Sequence, residues 1–162
     1  MGEPFWLDAE QIIEQNQALV EETGEPFFLR NEGGLHSATV APINYYHYSN
    51  ERDLIVLACV LMRAIAQNHP FEQGNKRTAF VAAAAFLLIN GIVFDPPDIS
   101  TPVADLLLEF IDTHMDLPPF VDRFRQLVPD WQYGHAATDN TVPAEDYLAH
   151  LWFQISRDAS DK

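Results

Sequence analysis

The run from Ala79 to Ile89 holds 11 apolar residues without a break. A helix that is apolar on every side has no face to give to water and must be surrounded by protein. The run is too short to cross a bilayer, which needs about 20 such residues. Ala79, Ala82, Ala83, Ala84 and Ala85 keep its girth small, so neighbouring helices can approach closely. The segment from about Asn75 to Ile89 is therefore predicted as a central helix, with Asn90-Gly91 as its C-terminal signal. A chain of 162 residues is long enough to bury such a helix inside one domain.

Other helices are punctuated around it. Asp8 reads as an N-cap with Gln11 three residues on, and Gly24 closes a helix whose apolar face is Ile12, Ile13, Leu19 and Val20. Leu29 to Ala38 is polar and irregular; Gly33-Gly34 marks a turn there, within the one short hairpin expected. Asn44 to Tyr48 reads as an aromatic-rich loop. Ser49 or Asn50 then caps a nearly apolar helix over Leu54 to Ala66. It should stop near Asn68, because the residue before Pro70 disfavours the α conformation. Ser100 caps a further helix from Val103 to His114, and Leu117-Pro118-Pro119 opens another through Val128. After a connector over Pro129 to Asp139, Thr141 caps a last helix, with Tyr147, Leu148, Leu151, Trp152 and Ile155 on one face. The expected fold is all-α: about six helices around a central apolar one. Residues 1–128 form the main domain, and 129–162 form an extension whose single amphipathic helix packs on the same domain.

Charge narrows the partners. Nine Lys and Arg face 24 Asp and Glu, for a net charge of −15. Nucleic-acid affinity rests on neutralising phosphates with basic side chains, so no nucleic-acid partner is expected. An anionic membrane surface is disfavoured for the same reason. Cys59 stands alone, which excludes an internal disulfide and a multi-cysteine zinc site. The opening MGEPFWLDAE has no basic n-region, and Trp6 stands where a myristoylation signal needs Ser or Thr. The expectation is a reduced, cytoplasmic, soluble chain.

Within that acidic background Lys76 and Arg77 sit side by side. The segment His69-Pro70-Phe71-Glu72-Gln73-Gly74-Asn75-Lys76-Arg77 is a loop feeding a helix N-terminus. Free backbone N–H groups and the helix dipole make such an end receptive to anions. Gly74 lets the backbone approach a phosphate, and Asn75, Lys76 and Arg77 add donors and charge. His69, on the opposite lip, can take a proton near neutral pH. A base facing a phosphate cradle is the minimum equipment for moving a phosphoryl or nucleotidyl group onto a hydroxyl. The plainer alternative is that His69 caps the preceding helix while Lys76 and Arg77 are solvated. Cations in a first turn oppose the dipole, however, and a bound anion would account for them.

These residues resemble the signature of the Fic/Doc family, His-x-Phe-x-Asp/Glu-Gly/Ala-Asn-Gly/Lys-Arg. Lys76 with Thr78-Ala79 is similar to the Doc (death-on-curing) branch, where lysine replaces the glycine of typical Fic proteins. Arg30 to Pro42 is similar to the Doc upstream region, and the resemblance covers about residues 8 to 128. It implies a toxin of a toxin–antitoxin system that transfers a phosphoryl group from ATP, with Mg²⁺, to a hydroxyl of a protein target such as elongation factor Tu. By the same resemblance His69 would be the general base, Phe71 after Pro70 a core residue orienting the loop, Gly74, Asn75 and Lys76 the anion hole, and Arg77 a phosphate ligand. An antitoxin partner is implied as well.

Gln73 departs from the pattern. The family places an acid there that helps to hold Mg²⁺, and a hard dication prefers a charged oxygen to an amide. Glu72, one residue away, points elsewhere. Two alternatives follow: AMP transfer of the Fic type, and a non-catalytic binding protein on the same fold. Phe80 stands where AMP-transferring motifs carry a second arginine, which favours the Doc-like chemistry. Thr141-x-x-x-Glu145 is similar to the family's autoinhibitory motif, but Asp146 ends it and an ordinary N-cap explains it better. His36, His47, His114, His135 and His150 lack metal-ligand spacing. Cys59 reads as a small buried hydrophobe.

Overall fold

The computed structural model of the chain describes residues 2–93, 100–127 and 132–133. Helix α1 (Ala9–Glu22) starts on a capping box: Gln11 N–H donates to Asp8 Oδ1 at 2.8 Å, and Asp8 N–H to Gln11 Oε1 at 2.9 Å. Its chain then turns at Gly24, in the left-handed region at φ 74°. Helices α2 (Glu32–Tyr48), α3 (Leu54–Asn68) and α4 (Asn75–Ile89) follow. A two-residue strand β1 (Ile92–Val93) pairs antiparallel with β2 (Gln132–Tyr133), Ile92 opposite Tyr133. Between them lie α5 (Ser100–Thr113) and α6 (Leu117–Leu127). The fold is all-α, with this short pair its one sheet among the described residues.

Helix α4 is the centre. Every residue from Thr78 to Leu88 is buried, as an all-apolar helix requires. Helix α3, with Leu57, Ala58, Leu61 and Ile65 among its buried residues, packs on α4 and carries α2 as a second neighbour; α1 also packs on α4, and α5 with α6 closes the remaining side. The N-terminal segment is pinned to the far end of α4. Phe5 exchanges hydrogen bonds with the Asn90 carboxamide at 2.9 and 3.0 Å, and Trp6 stacks on Phe86 at 5.7 Å. Where α6 meets the start of α3, Arg125 pairs with Asp53. No described helix is long and apolar enough to cross a membrane.

Two sequence-based expectations are corrected here. The hairpin expected at Leu29 to Ala38 and the loop at Asn44 to Tyr48 are both helix, since α2 covers Glu32–Tyr48. Leu35, Ala38, Thr39 and Pro42 recur at helical spacing and are all buried, a stripe that the glycines and the proline disguise. Asn31 caps the helix by accepting from Gly34 N–H at 2.9 Å. A Cβ on Gly34 would lie 2.5 Å from the Asn31 amide nitrogen, so the glycine makes room for the cap. The second correction is the cap of α3. Asp53 holds it, accepting from Ile55 N–H at 2.9 Å, whereas Ser49 ends α2 and Asn50 makes the turn at φ 56°. The expected connector (apart from the β2 residues) and the helix beginning at Thr141 lie outside the described residues.

Candidate active site

Helix α3 ends at Asn68, and His69 takes the left-handed conformation at φ 46°, ψ 55°. Pro70 forbids a further helical residue, and histidine is among the few non-glycine types that tolerate this region. Such a backbone costs of order 1–3 kcal/mol, and it leaves the imidazole exposed at the lip of the loop. Pro70 and Phe71 behind it are buried. Phe71 is 1% exposed, with the Phe27 ring 6.3 Å from its own.

The loop is stitched along its length. Pro70 O accepts from Arg30 N–H at 2.8 Å and from Asn31 N–H at 2.9 Å, and Glu72 N–H donates to Phe28 O at 3.0 Å. Leu29 and Phe71 thus form an antiparallel bridge. Asn68 fastens the end of α3 to the first turn of α2, donating to Gly34 O at 2.9 Å. Asn75 closes the loop on itself: its Oδ1 accepts from Phe71 N–H at 2.9 Å and its Nδ2 donates to Phe71 O at 2.7 Å. That carboxamide shapes the loop, and what Asn75 offers to an anion is its backbone N–H.

Gly74 is the N-cap of α4 at φ 76°, ψ 21°. A Cβ there would meet Asn16 Nδ2 and Val20 Cγ1 at 3.2 Å and Arg77 at 3.3 Å, so both conformation and space require glycine. Among the described residues, the first backbone N–H of α4 with an acceptor belongs to Thr78, which donates to Gly74 O at 2.9 Å. Those of Asn75, Lys76 and Arg77 precede it and have no acceptor among the described residues, as the first N–H groups of a helix ordinarily lack one. Lys76 is half-buried and has no carboxylate within ion-pair distance among the described residues.

Arg77 is differently placed from Lys76. Its guanidinium donates to Glu25 Oε1 at 2.5 Å and to Thr23 Oγ1 at 3.2 Å, and its side chain is only 15% exposed. Burial pushes the Glu25 carboxyl up, but hydrogen bonds from Thr23 and Arg77 and the guanidinium charge outweigh this and hold it below the usual value. The guanidinium therefore binds the end of α1 to the start of α4 beside Gly74. Asn16, on α1 and 1% exposed, adds a second tie: its Nδ2 donates to Gln73 O at 2.8 Å and to Thr78 Oγ1 at 3.0 Å. Its Oδ1 finds no partner among the described residues. An isosteric leucine would fill the space without stranding an oxygen, so the amide is kept for its donors.

Of the residues expected from sequence, His69, Pro70, Phe71, Gln73, Gly74, Asn75, Lys76 and Arg77 do share one closed loop and first turn. Asn16, Thr23 and Glu25 were not foreseen. A polar residue inside the apolar stripe of α1, four after Ile12, is the signal for Asn16; Glu25 gives none. The free N–H groups and Lys76 fit the phosphates of a nucleotide. A protein-held dication fits poorly. Gln73 is exposed and offers a neutral oxygen, Glu72 lies 3.6 Å from Arg30, and no three His, Cys, Asp or Glu side chains converge among the described residues.

Two curated proteins resemble the chain over a little more than half of its length. It is 33% identical over 88 residues to Toxin Doc of Mycolicibacterium smegmatis, covering 54% of this chain and 65% of that protein. It is also 33% identical over 90 residues to the protein kinase doc of Escherichia phage P1, covering 55% of this chain and 64% of the relative. The alignments thus span just under two thirds of those relatives. The model of the Fic/DOC family matches residues 6–87, a little over half of the chain, from Trp6 through the motif loop and into α4 as far as Leu87. On that match, and with the motif loop assembled as described, the chain belongs to the Fic/DOC family.

Proposed function

We propose that the chain is a Doc-like protein-modifying enzyme that moves the γ-phosphoryl group of ATP onto a hydroxyl of a protein target, and that an antitoxin restrains it. One observation carries this reading: an exposed histidine and an open helix N-terminus, with a lysine that has no ion-pair partner among the described residues, stand at the two ends of one closed loop. The name of the phage P1 relative, a protein kinase, points the same way. ATP would supply the transferable group, and Mg²⁺ would enter with it.

In this mechanism His69 accepts the proton of the target hydroxyl as its oxygen bonds to the γ-phosphorus. The bond between that phosphorus and the β–γ bridging oxygen breaks, and its electron pair leaves with ADP. The Lys76 side chain and the N–H groups of Gly74, Asn75 and Lys76 hold the negative charge on the phosphates, from fixed positions that need no reorganisation. The Arg77 guanidinium acts as a brace through Glu25. The segment Phe28 to Asn31 keeps the loop's backbone in register while Phe28, 60% exposed, stays at the surface.

Gln73 favours a second reading, a member of the family that binds a nucleotide or a protein without turnover. Incubation with a candidate target, elongation factor Tu first, and ATP labelled at the α or the γ phosphate separates the outcomes. Label from γ alone supports phosphoryl transfer, label from α supports AMP transfer, and neither supports the binding protein. His69→Ala should lower any transfer by about 10²–10⁴-fold while the protein stays folded. Unaltered transfer in that variant would remove His69 from the mechanism.

A further inference from the structure

Asn16 belongs to α1, outside the motif, yet its carboxamide spans both sides of Gly74 by donating to Gln73 O and to Thr78 Oγ1. From this geometry we infer that Asn16 is a positioning residue for the anion cradle, fixing the plane of the Gln73–Gly74 peptide so that the Gly74 N–H faces the ligand; the inference rests on the phosphate reading of the site. All described peptide bonds are trans, so the C=O and N–H of one plane point in opposite directions. With the Gln73 carbonyl held on the α1 side, the Gly74 N–H is turned away from α1.

The conformation that follows uses this orientation. Gly74 is left-handed and Asn75 opens a right-handed helix, a succession that gathers consecutive N–H groups into an anion-binding concavity. Gly74, Asn75 and Lys76 supply the three groups, and none of them donates to a protein acceptor among the described residues. Glycine is also the residue whose neighbouring peptide turns over most readily. Without the Asn16 donor the Gln73–Gly74 plane can rotate. Its carbonyl oxygen would then face the cradle and repel an anion, and one donor to the phosphate would be lost. Only the amide's NH₂ end can face Gln73 O, since a carbonyl accepts and does not donate.

The test is a titration of the ¹⁵N-labelled full chain with inorganic phosphate and, separately, with ATP, read at the backbone amides. In the wild type the Gly74, Asn75 and Lys76 amide protons should move downfield together. In Asn16→Leu the Gly74 response should disappear and Kd should weaken about tenfold or more, the effect of one lost charge-assisted hydrogen bond. Thr78→Val removes the other partner alone and should keep the Gly74 response, with Kd within about threefold. A folded Asn16→Leu that keeps the Gly74 response and the wild-type Kd would overturn the inference and leave the phosphate reading standing. An equal loss in Thr78→Val would also overturn it, by making Asn16 a general anchor. No response at these amides in the wild type would overturn both readings. A through-hydrogen-bond coupling between the Asn16 side-chain nitrogen and the Gln73 carbonyl carbon needs no variant; its absence would equally overturn the inference.

Discussion

Glu25→Gln removes the charge facing Arg77 while keeping the size of the side chain. The wild-type carboxylate accepts from the Arg77 guanidinium at 2.5 Å and from the Thr23 hydroxyl, with the two charged side chains 31% and 15% exposed. An exposed ion pair is worth about 0–1 kcal/mol, and a hydrogen bond to a charged group about 1.5–3 kcal/mol. Glu25 is nearly one-third exposed, and the glutamine oxygen can still accept from Arg77, so a loss of about 1–2 kcal/mol is expected. For a domain of this size that lowers Tm by roughly 3–6 °C at neutral pH. The pH dependence gives the sharper test. The Glu25 carboxyl is held below its ordinary value of 4.5 in the folded chain, so the unfolded chain binds this proton more readily. Its stabilising contribution is therefore complete above that ordinary value and is lost as pH falls through the folded-state value. Melting curves of both proteins across pH should show a constant gap near neutrality that narrows in acid. The other carboxylates titrate in both proteins and cancel in the comparison. A neutral-pH gap below about 1 °C, or one that acid leaves unchanged, would refute the brace assigned to Glu25 and Arg77.

Other expectations address the loop and the core. Gln73→Glu restores a charged oxygen beside the cradle and should tighten Mg²⁺–ATP binding by calorimetry; no gain would show that Gln73 is not the weak point of metal binding. Lys76→Gly should shift transfer from γ-labelled toward α-labelled product, and an unchanged labelling pattern would sink the branch assignment. Cys59 is fully buried on α3, and burial pushes its thiol far up, with the charges of Arg125, Arg63 and Asp53 secondary. It should resist a thiol reagent in the native chain and react only as fast as the protein unfolds. Phe71→Ala should cost about 3–5 kcal/mol in chemical denaturation, because the ring is buried beneath the loop.

Much of this architecture was legible along the chain because its causes are local. The alanine-rich run predicted both the extent of α4 and its central place, since an apolar cylinder has nowhere else to go. Asp8 with Gln11, Pro70 after His69, and Gly91 after Asn90 marked ends that hydrogen-bonding and steric rules fix within a few residues. The nine-residue motif likewise placed histidine, glycine and lysine on one loop, and the expected loop and helix start coincide with the structure. Helix α2 was not legible. Two glycines and a proline cost helix propensity, about 1 kcal/mol for an interior glycine and 3 for a proline. That local penalty concealed the stripe of Leu35, Ala38, Thr39 and Pro42. Its burial against α3 reverses the balance, and such burial exists only after the helices pack. The partners of the motif were hidden for a related reason. That Arg77 has a carboxylate partner emerges only when α1 meets α4 and brings Glu25, 52 residues away in sequence, against its guanidinium. The same packing delivers Asn16 to Gln73 across 57 residues. Spacing along a helix or turn determines which groups share a face or a loop. Which distant side chain meets them is decided by how whole helices stack, and no local pattern carries that information.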